Sequence, residues 1–299
     1  MMDHQGLIAA KKAVQRSHRA TECGAQSIDR AVTLLLLVGR AGRSGARLVD
    51  LVAQSELSKP TVHRILLALV RCGLLDQDEA THAYYIGPEV DALGTLAGAR
   101  FGIHNAALRS LVRLSERSGD TAFLSIPHNM YSICLHREEG SYPIRVKALA
   151  AGDRHPLGVG AGSLAMLAAM TDAQIETSIA ISLADGLLER YPNYSPARLR
   201  ELVRETRVNG FALNPGMMLA GCWAIGVAIH DVNKGPVGAL SIAAIEYRMS
   251  KERQRELVPL LQAEAREMER RLLCRKTAGR LSGMRSSPDN RELTQRELT

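Results

Sequence analysis

The stretch that decides the fold of the N-terminal region is residues 57–73, LSKPTVHRILLALVRCG. Ser58 is a candidate N-cap, Pro60 lies in the first turn, where its missing N–H costs little, and Gly73 is placed to end the helix. Apolar residues recur behind this start at i, i+3, i+4 and i+7, which predicts a helix with one buried stripe. The stripe consists of Val62, Ile65, Leu66 and Leu69.

The opposite face of this predicted helix is polar and basic in its N-terminal half. A helix of this kind fits the major groove of DNA, where its first residues reach base edges and its positive end attracts phosphate. The alternative is that this face is merely solvated and the helices form a packing module. The candidate DNA contacts on this helix are Lys59, Pro60, Thr61, His63, Arg64 and Leu67, with Arg71 further along the same face.

Two earlier helices and a β-hairpin are predicted around this element. The first follows Ser27, a candidate N-cap, and the second spans residues 48–55. After Gly73, short apolar runs on either side of the polar loop 76–82 predict two strands, and we expect Tyr84 in the second strand to contact DNA. A helix-turn-helix followed by a hairpin is the winged helix-turn-helix arrangement.

These residues resemble a known family in both type and spacing. The segments SIDRA (27–31), LSKPTVHRIL (57–66) and YYIGP (84–88) resemble the N-terminal domain of the isocitrate lyase regulator (IclR) family of bacterial transcription factors. The resemblance continues to about Cys274 and implies an α+β protein with a GAF-like effector-binding domain after a helical linker. Its later landmarks are HPL (155–157), GAG (160–162), NGFA (209–212) and VGALSI (237–242).

The distribution of charge is consistent with this division of the chain. The net charge is +3 over residues 1–88, −1 over 89–247 and +5 over 248–299, so the middle is nearly neutral. A basic end beside a neutral centre suits a nucleic-acid-binding module attached to a different domain. The predicted parts are a flexible basic arm (1–24), a winged helix-turn-helix (25–88), a helical linker and dimerisation element (89–118), an effector-binding domain (119–275) and a disordered tail (276–299).

The C-terminal half alternates runs typical of strands with runs typical of helices, which indicates an α+β domain around one sheet. The predicted strands are 121–126, 131–136, 144–150, 222–229 and 237–244, and the predicted helices are 163–170, 172–184, 196–209 and 250–275.

The resemblance also implies a pocket for a small organic effector, a carboxylate or an aromatic compound. Two of its positions depart from the family pattern: Asn214 stands where many members have an acidic residue, and Ala243 stands where many have a second serine. We therefore expect a more apolar pocket than usual. By position, the effector-binding residues are Gly160, Ala161, Asn214, Cys222, Ser241 and Ala243.

An enzyme is the main alternative, with a site around Cys222 or the glycine loop 158–163. A nucleophilic cysteine needs a base within hydrogen-bond reach, and His230 lies eight residues along the same predicted strand. The glycine loop lacks both the dinucleotide fingerprint and the Gly-Lys-Ser/Thr of a P-loop. The nine histidines form no metal-binding motif, so we expect no catalytic residues, metal or cofactor.

The expected partners are double-stranded DNA and a small-molecule effector. One recognition helix reads few base pairs, so a homodimer or homotetramer on a pseudo-palindromic operator is predicted. A protein-interaction module without DNA binding is the second alternative, and a weak salt dependence would reveal it. The uncharged run 208–230 contains one proline, two asparagines and four glycines, which argue against a membrane span. The polar N-terminus argues against a signal peptide, so we expect a cytoplasmic protein.

Overall fold

The N-terminal domain of the computed structural model is a three-helix unit with a hairpin. The structure describes residues 25–146, 148–184, 186 and 190–285, so the predicted arm at 1–24 lies outside the described residues. This arrangement confirms the winged helix-turn-helix. Its elements are α1 (Gln26–Ala41), α2 (Leu48–Ser55), α3 (Lys59–Arg71), β1 (Leu75–Gln77) and β2 (Tyr84–Ile86).

The core of this domain forms where the apolar stripes of the three helices meet. Burial of several large aliphatic side chains here removes enough apolar surface from water to hold the small domain together. Two predicted caps differ from the structure: α1 begins after Ala25 rather than at Ser27, and the Ser58 hydroxyl bonds the Thr61 hydroxyl at 2.8 Å instead of a backbone N–H. The fully buried aliphatic residues are Leu34, Val38, Leu51, Val62 and Leu66.

The predicted linker divides into two helices with different roles. They are α4 (Pro88–Phe101) and α5 (Ile103–Ser118), separated at Gly102. Helix α5 packs its apolar face into the core of the C-terminal domain, where Leu111 and Leu114 are fully buried. In α4, by contrast, Leu93 and Leu96 are 55% and 71% exposed. Of the two helices, α5 therefore belongs to the C-terminal domain, and α4 is the linker that joins the two domains along the chain.

A six-stranded antiparallel sheet forms the centre of the C-terminal domain, in the order β5-β4-β3-β8-β7-β6. The predicted strand 144–150 is not among the described strands. Because residues Gly152 and Asp153 hydrogen-bond the backbone of Cys134 in β4, the edge of β4 is already occupied. The strands are β3 (Thr121–His128), β4 (Tyr131–Glu138), β5 (Arg154–Pro156), β6 (Ala212–Pro215), β7 (Cys222–His230) and β8 (Pro236–Ile245).

Helices cover both faces of this sheet, which confirms the α+β class. Helix α9 continues ten residues beyond its predicted end, so the first part of the predicted tail is helical, while residues 286–299 lie outside the described residues. Among the described helices, none is both long and apolar enough to cross a membrane. The remaining helices are α6 (Ala161–Ala168), α7 (Asp172–Ala184), α8 (Pro196–Asn209) and α9 (Lys251–Arg285).

The two faces of the sheet differ in side-chain size because side chains alternate along each strand. One face carries large aliphatic residues such as Leu240 and Ile242, and it packs against α5 and α9. The other face carries small residues on β7 and β8, paired as Ala224 with Ala243 and Gly226 with Ser241. Small residues let α6, which is buried along its whole length, lie directly on the sheet.

Candidate functional site

The first candidate site is the exposed face of α3. Lys59, His63 and Arg64 are exposed, as are Pro60 and Leu67, whereas Thr61 is half-buried. Among the described residues, neither Lys59 nor Arg64 forms an ion pair with an acidic side chain. The helix therefore presents unneutralised positive charge at its N-terminal end, where the helix dipole adds to it.

Tyr84 does not belong to this surface, so the prediction that its side chain contacts DNA is wrong. The side chain is 2% exposed and packs in the core of the N-terminal domain. Burial raises the pKa of its hydroxyl. Its backbone N–H and C=O pair with Ala46, and the register of the hairpin places Tyr84 opposite Gln77. Of the two adjacent tyrosines, Tyr85 is the more exposed.

The tip of the hairpin is acidic, which does not suit contact with phosphates. Asp76, Asp78 and Glu79 are all exposed there. The Asp78 carboxylate accepts hydrogen bonds from the hydroxyl and the backbone N–H of Thr81, both at 2.7 Å, and these bonds lower the pKa of that carboxyl. The hydrogen bonds that the Asp78 carboxylate accepts from Thr81 therefore order the turn of the hairpin.

The second candidate site is a small cavity of about 40 Å³ between the start of α6, the small-residue face of the sheet and the loop before β7. The structure brings together all six residues that the resemblance assigned to an effector pocket, although their role in binding stays a prediction. They are Gly160, Ala161, Asn214, Cys222, Ser241 and Ala243.

The glycine loop forms one wall of this cavity. Gly158 and Gly160 have φ values of 96° and 80°, a region that favours glycine because it has no Cβ. The Ser163 hydroxyl accepts a hydrogen bond from the Gly158 N–H at 3.0 Å and donates to the Pro156 carbonyl at 3.2 Å. These bonds fix the loop so that the N-terminus of α6 lines the cavity.

Tyr194, which the sequence did not single out, ties two walls of the cavity together. Its hydroxyl accepts hydrogen bonds from the Gly160 N–H at 3.1 Å and the Asn214 side-chain amide at 2.6 Å. The Asn214 carbonyl oxygen in turn accepts from the Met217 N–H at 3.0 Å. Burial raises the pKa of Tyr194 to about 12, so the hydroxyl stays protonated. Asn214 is consequently occupied in holding the wall.

The floor of the cavity is formed by close contact between β7 and α6. A Cβ added to Gly226 would lie 2.8 Å from backbone atoms of Ala161, so only glycine fits there. Cys222 is buried beside this floor, and burial raises the pKa of its thiol to about 11. The thiol is therefore protonated at neutral pH and is a poor nucleophile, which is unfavourable for the enzyme alternative.

Among the residues that the structure describes, no Asp, Glu, Lys or Arg lines the cavity, and His155 is the one imidazole in its lining. His155 is 2% exposed, and its Nδ1 has no hydrogen-bond partner among the described residues. Burial lowers the pKa of the imidazole to about 4, so it is neutral at pH 7. In the sequence, His155 stands out only as part of the HPL motif. The feature that could have indicated its role is its position between the charged residues 153–154 and the glycine loop.

A larger groove of about 1200 Å³ lies elsewhere, between the α4–α5 junction and the strand ends near His230. It contains none of the predicted site residues. In its wall His104 Nε2 lies 3.2 Å from Nδ1 of His136. Among the described residues, no group of three His, Cys, Asp or Glu side chains could hold a metal ion, here or elsewhere.

Comparison with known proteins assigns both domains. The family model for the bacterial transcriptional regulator IclR C-terminal domain matches residues 96–270, and the IclR helix-turn-helix domain matches residues 27–79. The HTH-type transcriptional regulator BhcR of Paracoccus denitrificans is 28% identical over 259 residues, which are 86% of this chain and 90% of that protein.

Two solved structures illustrate the likeness in fold. An IclR-type regulator from a Silicibacter species has a TM-score of 0.64 and 28% identity, covering 82% of this chain and 95% of its own. An IclR homologue from Microbacterium hydrocarbonoxydans, solved in complex with 4-hydroxybenzoate, has a TM-score of 0.66 and 19% identity, covering 83% of this chain and 99% of its own. With both domains matched in order over most of its length, the chain belongs to the IclR family of DNA-binding bacterial transcriptional regulators.

Proposed function

We propose that this regulator binds a pseudo-palindromic operator as a homo-oligomer, through α3, and that a small organic acid or aromatic ligand in the α6 cavity changes its operator affinity. The observation that carries the proposal is the exposed basic end of α3 on a winged helix-turn-helix. DNA binding implies action in the cytoplasm, where the bacterial chromosome lies.

On the DNA side, Lys59, Thr61, His63 and Arg64 are the residues that enter the major groove. Arginine contacts guanine O6 and N7 through two hydrogen bonds, which makes Arg64 the residue with the greatest influence on sequence preference. Lys59 lies at the end of the helix and suits a phosphate. A single helix of this length reads only a few base pairs, so a second copy of the chain supplies the other half-site.

On the ligand side, the cavity beside the N-terminus of α6, whose described lining carries no Asp, Glu, Lys or Arg, suits a compact molecule with one polar group. The structural neighbour with bound 4-hydroxybenzoate supports an aromatic or carboxylate ligand. A cavity of about 40 Å³ admits only a few atoms. A ring therefore requires the loop carrying Met218 and Leu219 to move, and such movement is a means of distinguishing two states.

A contact between the domains lies close to this cavity. The Arg40 guanidinium in α1 is 3.5 Å from the Asp153 carboxylate, which belongs to the segment just before β5. Asp153 is two residues from His155 in the cavity wall. An exposed ion pair of this kind contributes little to stability. The Arg40–Asp153 ion pair nevertheless lies between the cavity and the DNA-binding domain, so a ligand that moves Asp153 would form or break it.

The experiment that tests the DNA-binding surface compares Arg64→Ala with Arg117→Ala in the full-length protein. Arg117 is an exposed arginine on α5 of the C-terminal domain, so its removal changes the net charge equally but leaves α3 unaltered. The operator is first selected from a random DNA pool, and the affinity is measured by fluorescence anisotropy. We expect Arg64→Ala to lose about 1–3 kcal/mol, roughly 5-fold to 150-fold, and Arg117→Ala to bind normally.

Equal affinities for the two variants would refute the assignment of α3 as the reading helix. The DNA affinity of the wild-type protein, measured over a range of salt concentrations, distinguishes DNA binding from the interaction-module alternative. Phosphate contacts make DNA affinity fall steeply with salt, so a weak dependence would favour the alternative.

A further inference from the structure

Two histidine side chains meet beside the junction of α4 and α5. The Nε2 atom of His104, in the first turn of α5, lies 3.2 Å from the Nδ1 atom of His136 on β4, and the two ring centroids are 5.3 Å apart. On the other side of its ring, Nε2 of His136 lies 3.1 Å from a carboxylate oxygen of Glu138. The three half-buried side chains thus form one chain of hydrogen bonds between α5 and β4.

This chain of hydrogen bonds accommodates one added proton but not two. When both imidazoles are neutral, His104 donates to Nδ1 of His136, and His136 donates to Glu138. One added proton gives His136 two N–H groups, which donate to Glu138 and to a His104 whose own proton lies on Nδ1. With a second added proton, two N–H groups point at each other across 3.2 Å, and the contact between the rings is lost.

The surroundings of His104 oppose the second proton. Burial lowers the pKa of His104, and the neighbouring His136 lowers it further, whereas a hydrogen bond with Asn105 raises it by less. His104 also lies in the first turn of α5, where the positive end of the helix dipole disfavours a cation. The closed contact therefore favours a neutral His104.

The charged groups of α9 and of the loop after β7 have partners of their own. In α9, Glu269 accepts a hydrogen bond from the His230 N–H at 2.8 Å, and Arg271 donates to the Ala106 carbonyl at 3.1 Å. The Asp231 carboxylate accepts the N–H groups of residues 233 and 235. The neighbouring elements add the exposed His128 on β3, the exposed Arg109 on α5 and the pair Arg137–Glu139, whose side chains lie on the other face of β4.

The contact lies where it can hold the linker. Gly102 ends α4 and precedes α5, so the direction of α4 is set at this joint. Asn105, next in sequence to the histidine of α5, lies against α4, since a Cβ added to Gly98 would be 3.6 Å from its amide nitrogen. Farther from the joint, Leu93 and Leu96 of α4 are more than half exposed. Fixing the first turn of α5 on β4 therefore fixes the end of the linker.

We propose that His104, His136 and Glu138 form a pH-sensitive clamp on the linker. The clamp is closed while the two imidazoles share at most one added proton. It opens when both are protonated, which releases the first turn of α5 from β4 and lets α4 change direction. The clamp is separate from the α6 cavity, and its effect on DNA rests on the proposed operator binding.

The proposal fixes the direction of the pH dependence. Because the pKa of His104 in the closed clamp lies below its ordinary value of about 6.5, the open form binds the second proton more tightly. The closed form is therefore fully favoured above about pH 6.5, and its equilibrium constant falls by up to about tenfold for each pH unit below that value. An open joint leaves the recognition helices of an oligomer unaligned, so binding must order them and operator affinity falls.

The direct test follows the ring signals of ¹³C-labelled histidines in the full-length protein by NMR, from about pH 8 to about pH 5. The variants His104→Gln and His136→Gln assign the two signals of the clamp. We expect His104 to titrate at a lower pH than the exposed His128. In His136→Gln the titration of His104 should move toward that of His128, because the neighbouring imidazole is gone.

A second test measures the affinity for the selected operator by fluorescence anisotropy at about pH 7.5 and about pH 5.5. In His104→Gln the amide donates to His136 at every pH, so a second proton cannot open the clamp. Protonation of His63 and His82 in the DNA-binding domain is common to all variants and cancels in the ratio of dissociation constants. We expect the ratio of wild type to His104→Gln to rise at least about threefold on acidification, and the ratio of wild type to His128→Gln to stay constant.

Three results would overturn the clamp. They are a His104 that titrates together with His128, a His104 titration that His136→Gln leaves unchanged, and a ratio of wild type to His104→Gln that does not change with pH. If His104→Gln does not fold, the ring signals of the wild type and of His136→Gln still decide. If no operator can be selected, the proposed function fails while the ring titration still tests the clamp, so the two levels of the account fail separately.

Discussion

Replacing Tyr194 by phenylalanine tests whether the cavity wall is held by the hydroxyl that the structure places there. The change removes one oxygen atom and keeps the ring. Two buried donors lose their acceptor: the Gly160 N–H at 3.1 Å and the Asn214 amide at 2.6 Å. A neutral hydrogen bond contributes about 1 kcal/mol net, and a buried donor left unpaired costs about 1–3 kcal/mol. We therefore expect a loss of about 2–4 kcal/mol.

Urea unfolding followed by tryptophan fluorescence measures this loss in the correct domain. Trp223 is the only tryptophan in the sequence, and it lies on β7 opposite Pro215. With a slope of about 2–3 kcal/mol per molar urea, the expected loss lowers the midpoint by about 1 M without changing the slope. The variant should also bind any ligand of the cavity more weakly, because the glycine loop is no longer fixed.

Tyr191→Phe is the matched control. Its ring packs edge-on against that of Tyr194 with centroids 6.3 Å apart, but its hydroxyl makes no hydrogen bond to another described residue. Its unfolding midpoint should stay close to that of the wild type. If Tyr194→Phe were as stable as Tyr191→Phe, the hydroxyl would not be holding the wall, and the account of the cavity would be wrong.

Two further substitutions test the packing around the cavity domain. Gly226→Ala places a Cβ 2.8 Å from the backbone of α6 and should lower stability by about 1–3 kcal/mol in thermal unfolding, whereas Gly94→Ala, with open space around it, should not lower it. Glu264 accepts two hydrogen bonds from Arg113, at 2.7 and 2.5 Å. Burial raises the pKa of the carboxyl, but its hydrogen bonds and the nearby arginines lower it by more, so the net shift is downward. The contribution of the ionised Glu264 to the stability of the fold is therefore complete above about pH 4.5 and is lost as the pH falls below that value. Glu264→Gln should cost about 1–3 kcal/mol at pH 7 in urea unfolding, with the difference vanishing in acid, and the exposed Glu256→Gln should cost almost nothing.

The helices of the DNA-binding domain could be predicted from sequence because their periodicity is strong and their breaks are marked. The second helix lies where the pattern placed it, at Leu48–Ser55. Tyr84 was misplaced for a physical reason. In a three-residue strand with two adjacent tyrosines, alternation alone leaves open which ring faces inward. The pairing of Tyr84 with Gln77, and of its backbone with Ala46, decides it.

The cavity could be predicted only in outline, because its walls come from segments far apart in sequence. Gly160 and Ser241 line the same cavity only because β8 lies between β3 and β7 in the sheet, which no local pattern reveals. The resemblance supplied those positions, and the structure brings them together. It could not supply His155 and Tyr194, whose significance depends on burial and on hydrogen bonds made or missing.

Two predicted elements differ from the structure, one for a tertiary reason and one for a local reason. Residues 144–150 are apolar enough to predict a strand, yet the backbone of β4 at Cys134 is already paired with Gly152 and Asp153. The sequence predicts that helix α9 ends at residue 275, where the chain becomes more polar. The helix nevertheless continues to Arg285, through good helix formers such as Lys276, Ala278 and Arg280 and in spite of Gly279 and Gly283.

The most direct test of the central claim is the operator affinity of the full-length protein measured with and without a cavity-binding acid. The operator is selected from random DNA, and anisotropy is recorded for wild type and for Arg64→Ala. The account predicts a pseudo-palindromic selected site, an affinity that depends steeply on salt and on Arg64, and a several-fold shift when the acid is added. The account would be contradicted if no sequence were selected. It would also be contradicted if the operator affinity changed neither on replacing Arg64 by alanine nor on adding the acid.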